Sequence, residues 1–342
     1  VSKVLNGKAR QYRIHPDTEQ NVFKAAAALG YTPNYHGRSL QTGRSMCIGV
    51  VGIQVGHLTP YWGHVYAGLA KELAEAGYDL LTVVPESDTS RDAVRRALNY
   101  GAERRIDGLI VPGHHMHCFD PEQAPGWLPV IALDQDAPGA SPTITSDPAP
   151  GLTETVAMLV GLGHRRFLWL GCELTSNEAD EAFLQQWSTM VHQRNRQRQQ
   201  IIREGAMGCQ VETYIVSEPA RSRAEGAGDT VTSYLPGIRK ALQQHQATAI
   251  LCYNDRIAVT AMAAAATLGL RVPDDVSIVG YDNLHADLTV PQLTTISPEL
   301  TRMGEEAGRL VRDCIDNKNC SPRQITVPSR LILRDSTAQI AS

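Results

Sequence analysis

The chain predicts an α/β protein of two doubly wound, Rossmann-like lobes, preceded by a short basic helical segment. Three observations predict it. From Cys47 onward, apolar runs of strand length alternate with helical stretches. These runs are continuously apolar, as in parallel sheets covered on both faces, rather than alternating in polarity. The alternation also outlasts a single sheet, in a chain of 342 residues with room for two or three packing units.

Taken in order, Val1 to Asn6 reads as the end of a helix stopped at Gly7. His15-Pro16-Asp17-Thr18 reads as the start of a second helix, with Pro early and Asp at the positive end of the helix dipole. Val22, Ala25, Ala26 and Leu29 keep helical spacing, and Gly30 ends the segment. A short connector, Tyr31 to Ser45, leads into the body. Strand candidates follow as CIGVVGI, YDLLTVV, IDGLIVPG, PVIALD, RRFLWLGC, VETYIVS, ATAILCYND and VSIVGYD. Helices are expected at Tyr66–Glu75, Arg91–Arg104, Leu152–Leu162, Asn177–Glu204, Thr232–Gln244 and Ile257–Leu268. The basic, Gln-rich run Arg194–Arg203 reads as the extension of a surface helix.

Hydrophobic residues make up 42% of the chain and charged residues 20%, values that fit a globular protein. No apolar run approaches the roughly 20 residues that span a bilayer. No signal segment opens the chain, so export is not expected, although the chain starts at Val1 without Met and reads as a fragment. Seven scattered cysteines without a C-x-x-C read as the reduced thiols of a cytoplasmic protein. Net charge is −4, yet in the first 45 residues Lys3, Lys8, Arg10, Arg13, Lys24, Arg38 and Arg44 face only Asp17 and Glu19. Local basicity on an acidic body fits a confined phosphate-contacting surface. Charge alone fits a solvated helix pair equally well.

The segments VSKVLNGKA, LGYTPNYHGRSLQTGRS, IGVV, PYWGHVYAGL, ILCYNDRIAVTAM, RVPDDVSIVGYDN, PQLTTISPELTRMGEEA and LILRDST appear in that order. In this sequence of motifs the chain resembles the LacI/GalR family of bacterial transcription regulators, from Val1 to about Thr337. The resemblance is weakest over Thr175–Asp229, which is longer than the family pattern. It implies a helix-turn-helix headpiece, a hinge helix and a two-lobed body of the periplasmic-binding-protein-like type I. It implies residues 1–33 as a partial headpiece and 34–45 as hinge helix and linker. Residues 46–156 plus 290–322 would form one lobe, and 157–289 plus 323–340 the other. The implied protein is a homodimeric repressor of operator DNA whose cleft binds a small effector.

In the family, VSKVLNG is the second half of the recognition helix, so the headpiece here is partial. The resemblance places Lys3 in the major groove, where a lysine can donate to guanine, and Ser2 and Asn6 at phosphates or base edges. Tyr31 and Pro33 would set the exit from the headpiece, and Asn34 would cap the hinge helix. Leu40 matches a lever leucine that wedges into the minor groove. Arg38 and Arg44 are expected at phosphates. Gly37 stands where the family pattern has Ala, which predicts a hinge that melts more easily away from DNA.

Ligands of open α/β sheets bind beyond the carboxyl ends of the strands. Tyr61 and Trp62 follow the first body strand there, Asp134 ends PVIALD, Asn254 ends ATAILCYND and Asp282 ends VSIVGYD. Aromatic, carboxylate and amide groups together suit a polyhydroxylated ligand, most readily a sugar or sugar derivative. Asp255 is expected to cap the following helix instead. Two departures from the family pattern limit a sugar assignment: Asp134 is followed by Gln135 rather than Arg, and Ala179 stands where the pattern has Arg. Among His114, His115, His117 and Cys118, His114 is assigned to the ligand. Four near-adjacent residues on one loop do not favour a tetrahedral metal site, and none is expected.

No nucleophile elbow, phosphate loop or metal pair is evident, so neither catalysis nor a cofactor is expected. The rival readings are a solute-binding protein of a sugar transporter and a sugar- or nucleoside-processing enzyme on a similar scaffold. The C-terminal RDSTAQIAS lacks heptads, which favours a dimer over a tetramer.

Overall fold

The structure is a computed structural model and describes residues 1–5, 9–31, 39, 42–52, 60–84, 90–134, 141–175, 181–219, 230–284, 286–317 and 320–340. Asn6, Asn34, Gln135, Ala179, Pro33, Gly37, Arg38 and Leu40 lie outside the described residues, as do the side chains of Ser2 and His114.

Among the described residues the body is built on two six-stranded sheets. The first contains β1 (Cys47–Val51), β2 (Asp79–Val83), β3 (Gly108–Pro112), β4 (Val130–Leu133), β5 (Thr143–Asp147) and β11 (Gln324–Pro328). Their order is β11-β5-β4-β3-β1-β2, and every pairing is parallel. The second contains β6 (Arg166–Thr175), β7 (Gln210–Pro219), β8 (Ala249–Cys252), β9 (Ser277–Tyr281), β10 (Thr294–Ser297) and β12 (Arg330–Ile332). Its order is β12-β10-β9-β8-β6-β7, with only β12 antiparallel.

All eight expected strands form. The central ones are buried along their whole length, β3, β8 and β9 included. Two apolar layers flank each sheet. Ile48, Val50 and Ile110 face one side of the first sheet, and Val51, Leu109 and Val111 the other. Leu168 and Ile250 against Phe167 and Leu251 do the same in the second. Burial on both faces is why these strands read as unbroken apolar runs.

The covering helices are α3 (Pro60–Glu75), α4 (Ser90–Ala102), α5 (Ala149–Gly161), α6 (Glu181–Gly205), α7 (Thr230–His245), α8 (Asp255–Thr267) and α9 (Leu300–Asn317). Helices α3 and α9 touch through glycine. A Cβ at Gly68 would collide with the carbonyl oxygen of Thr301, and one at Gly304 with that of Val65. Around this close approach Glu72 accepts from Arg312 at 2.7 Å and pairs with Arg309 at 3.2 Å.

Ahead of the body, α1 (Ser2–Leu5) and α2 (Pro16–Ala28) bury Val4 and Ala9. His15 caps α2 with its ring nitrogen, as its place before Pro16 suggests, and Gly30 follows at φ 60°. The expected helix-turn-helix is not shown by these elements among the described residues.

Several expectations need correction. Strands β5, β10, β11 and β12 and helix α9 carry no strong signal of their own in the chain. β5 and β10 are rich in Thr and Ser, and in β10 the hydroxyls find partners inside the fold: Thr295 donates to Asp255, and Thr294 accepts from the Arg334 N–H. The sheet pairings also depart from the expected lobe boundaries. α5 packs Leu152, Val156 and Leu159 onto the second sheet, so that lobe takes up the chain near residue 148 rather than 157. β10 belongs to the second sheet and β11 to the first, placing the later crossings near residues 298 and 329 rather than 290 and 323. The cysteines are not all thiols: Cys314, near the end of α9, is joined to Cys320, with Cα atoms 4.8 Å apart. Arg44, expected at a phosphate, pairs with Asp316 at 2.9 Å.

Candidate functional site

The carboxyl ends of both sheets meet at a cluster that joins the lobes. Asp134 follows β4 in the left-handed region at φ 65°, and is buried. Its Oδ2 accepts from the Tyr61 hydroxyl at 2.9 Å. Its Oδ1 accepts from Nη2 of Arg194 at 2.8 Å, and the same nitrogen donates to the Asp134 carbonyl at 3.0 Å. Tyr61 and Asp134 belong to the first lobe, while Arg194 projects from α6 of the second. The side chain of Arg194 is 29% exposed and that of Asp134 is 7% exposed. Burial works against the charge of Arg194, and Asp134 overcomes it, holding the guanidinium well above its usual range. Burial and the Asp134 carboxylate both push the Tyr61 phenol up, so it stays a donor.

One helical turn along α6, Arg198 enters the same region. Its Nη1 donates to the Tyr253 carbonyl at 2.7 Å. Its guanidinium lies 3.5 Å from the centroid of the Tyr281 ring and 4.9 Å from that of Tyr253. Stacking of this kind suits the flat, weakly hydrated guanidinium. Asp282 follows Tyr281 at φ 103°, in a conformation that Asp tolerates better than most residues. Burial and the charge of Asp255 push the Asp282 carboxyl up to about 8, against the pull of Arg198 and Arg194.

The structure therefore brings together Tyr61, Asp134 and the neighbourhood of Asp282. Trp62 stands edge-on to Tyr61 with ring centroids 5.6 Å apart. The helix cap expected of Asp255 falls to Asn254. Asn254 is the N-cap of α8, its Oδ1 accepting from the Ile257 N–H at 2.9 Å. Asp255 is buried and ties two segments, accepting from Thr295 at 2.5 Å and from the Leu284 N–H at 2.8 Å. His114 lies in a 3₁₀ turn, Gly113–Cys118, that follows β3. On the DNA side, Lys3 lies 3.7 Å from the Tyr12 ring centroid, and Tyr31 is exposed just after α2.

Arg194 and Arg198 are the functional candidates that the sequence reading passes over. Their spacing of four places them on one helix face, but the surrounding Gln and Arg residues present a solvated helix, which concealed the buried face. They supply cations to a cleft whose expected arginines are replaced by Gln135 and Ala179.

The model of the periplasmic binding protein-like domain matches residues 156–337. The model of periplasmic binding proteins and the sugar-binding domain of the LacI family matches residues 47–204. The HTH-type transcriptional repressor PurR of Mannheimia succiniciproducens is 28% identical over 345 residues, covering 100% of this chain and 95% of the relative. The lac repressor dimer bound to operator and the anti-inducer ONPF is similar at a TM-score of 0.70 and 20% identity, covering 98% of this chain and 94% of that one. A complex of the transcriptional regulator CelR with cellobiose is similar at a TM-score of 0.62 and 22% identity, with the same coverage.

Proposed function

The chain belongs to the LacI family of transcriptional regulators, with a body of periplasmic-binding-protein-like lobes, and from that premise we propose that it is an effector-responsive repressor of operator DNA. The effector is a small polyhydroxylated metabolite, a sugar or sugar derivative, held in the interlobe cleft by Tyr61, Trp62, Asp134, Arg194 and Asp282. The observation that carries this reading is the Tyr61–Asp134–Arg194 bridge, which places donors and acceptors from both lobes at the strand ends. A ligand that exchanges with these groups biases how the lobes sit, and the first lobe is joined directly to the linker at Ser45. Operator is read by the basic segment ahead of the body, including Ser2, Lys3, Asn6, Tyr31, Asn34, Arg38 and Leu40. The active form is a homodimer in the cytoplasm. That basic segment disfavours the transporter-associated alternative on the same body fold.

Thermal unfolding against a panel of sugars, sugar alcohols, sugar phosphates and nucleosides tests the reading. A ligand at 100 times its Kd adds about 2.7 kcal/mol, a shift of several degrees. The shifting ligand should also change affinity for duplex DNA. A panel without a shift overturns the carbohydrate assignment, and a ligand that shifts unfolding without altering DNA affinity overturns the regulator.

A further inference from the structure

We propose that the turn carrying Arg104 and Arg105 is a second phosphate-contacting surface, on the body itself, that grips operator backbone beside the linker; this rests on the DNA-binding reading above. Because every pairing in the first sheet is parallel, the amino ends of its strands share one edge, opposite the effector cleft. The chain enters the body on that edge, at Cys47. Its entry is fixed by Asp107, a buried carboxylate that accepts from the Ser45 N–H at 2.8 Å, the Ser45 hydroxyl at 3.0 Å and the Met46 N–H at 2.9 Å. Arg104 and Arg105 stand three and two residues before Asp107, in the turn between α4 and β3. DNA held by the segment at the far end of the linker is therefore presented to the edge that displays these two side chains.

Both guanidiniums are positioned to meet a phosphate. Arg104 takes the left-handed conformation at φ 59° and lies 3.6 Å from the ring centroid of Trp127, itself 37% exposed just ahead of β4. Arg105, half-exposed, lies 3.7 Å from the ring centroid of Tyr100. Stacking occupies the face of each guanidinium and leaves its N–H edge to donate, the geometry that matches a phosphate. Two carboxylates near the edge are already engaged: Asp107 by the linker and Asp316 by Arg44. Glu103 lies 3.5 Å from Arg105, while Arg104 has no carboxylate within ion-pair distance among the described residues. A polyanion tracking past the linker meets two stacked cations.

The test is the salt dependence of binding to a fluorescein-labelled duplex that the protein itself enriches from a pool of genomic fragments. Arg104→Gln and Arg105→Gln, singly and together, should weaken binding at low salt. Each phosphate that the variant no longer neutralises should flatten the slope of log affinity against log salt by about 0.9. Arg104→Lys keeps the charge and should keep most of the slope. Arg91→Gln removes the same charge from the opposite end of α4 and should leave the slope unchanged. Thermal unfolding of each variant separates weakened phosphate binding from a damaged fold. An unchanged slope in the folded double variant overturns the proposal, as does an equal flattening by Arg91→Gln. Failure of the unsubstituted protein to enrich any duplex overturns the DNA-binding reading and this inference with it.

Discussion

Asp282 gives the cleft a pH dependence of its own. Its carboxyl, pushed up to about 8 by burial and by Asp255, stays protonated in the folded protein at pH values where the unfolded chain ionises. Between about pH 4 and 8 the folded state therefore binds more protons, and stability contributed by this group falls as pH rises, levelling off above pH 8. Asp282→Asn keeps the shape and the tolerance of positive φ but removes the titration. Its Tm should gain on that of the parent as pH goes from 5 to 9, measured by thermal unfolding across that range. Residues of this kind were legible because strand ends bear ligands in such sheets, which pointed to Tyr61, Asp134 and Asp282. Arg194 was not legible, since nothing local distinguishes its buried face from the exposed Gln and Arg around it.

At the level of elements, α3 and α9 pack closely because glycine sits at the contact on each. A Gly304→Ala methyl would meet the Val65 carbonyl, backbone that cannot rotate aside. The substitution should cost about 1–3 kcal/mol by forcing the helices apart, read as a lower urea midpoint with unchanged m-value. The strands buried on both faces were legible as apolar runs. β10 and β5 were not, because Thr and Ser strands look like turns until their partners are known. α9 went unassigned for a different reason: its apolar stripe, Leu300, Met303, Ala307, Leu310, Val311 and Cys314, is interrupted by charge and acquires meaning only against the first sheet. The cap of α8 shows the same limit. Both Asn254 and Asp255 suit an N-cap, and only the buried partners of Asp255 decide between them.

Across the molecule, the lobes are tied by side chains as well as by the backbone. Asp134→Asn would leave Arg194 without its carboxylate in a site that is only partly open to water. The expected loss is about 1–3 kcal/mol, moderated by the 29% exposure of Arg194. Arg194→Gln should lose less in the Asp134→Asn background than alone, a coupling that a double-mutant cycle in urea measures directly. If the two losses simply add, the bridge does not hold the lobes. The chain passes between the sheets three times: just before α5, just before α9 and at Ser329. A nascent chain on the ribosome meets a consequence of that path. Its first lobe must wait for α9 and the edge strand β11, which are made last but one, with the unfilled face of α3 and the open side of β5 bare until then. The second lobe is completed only when β12 follows, so both halves are finished together, and a defect near the carboxyl end reaches each of them.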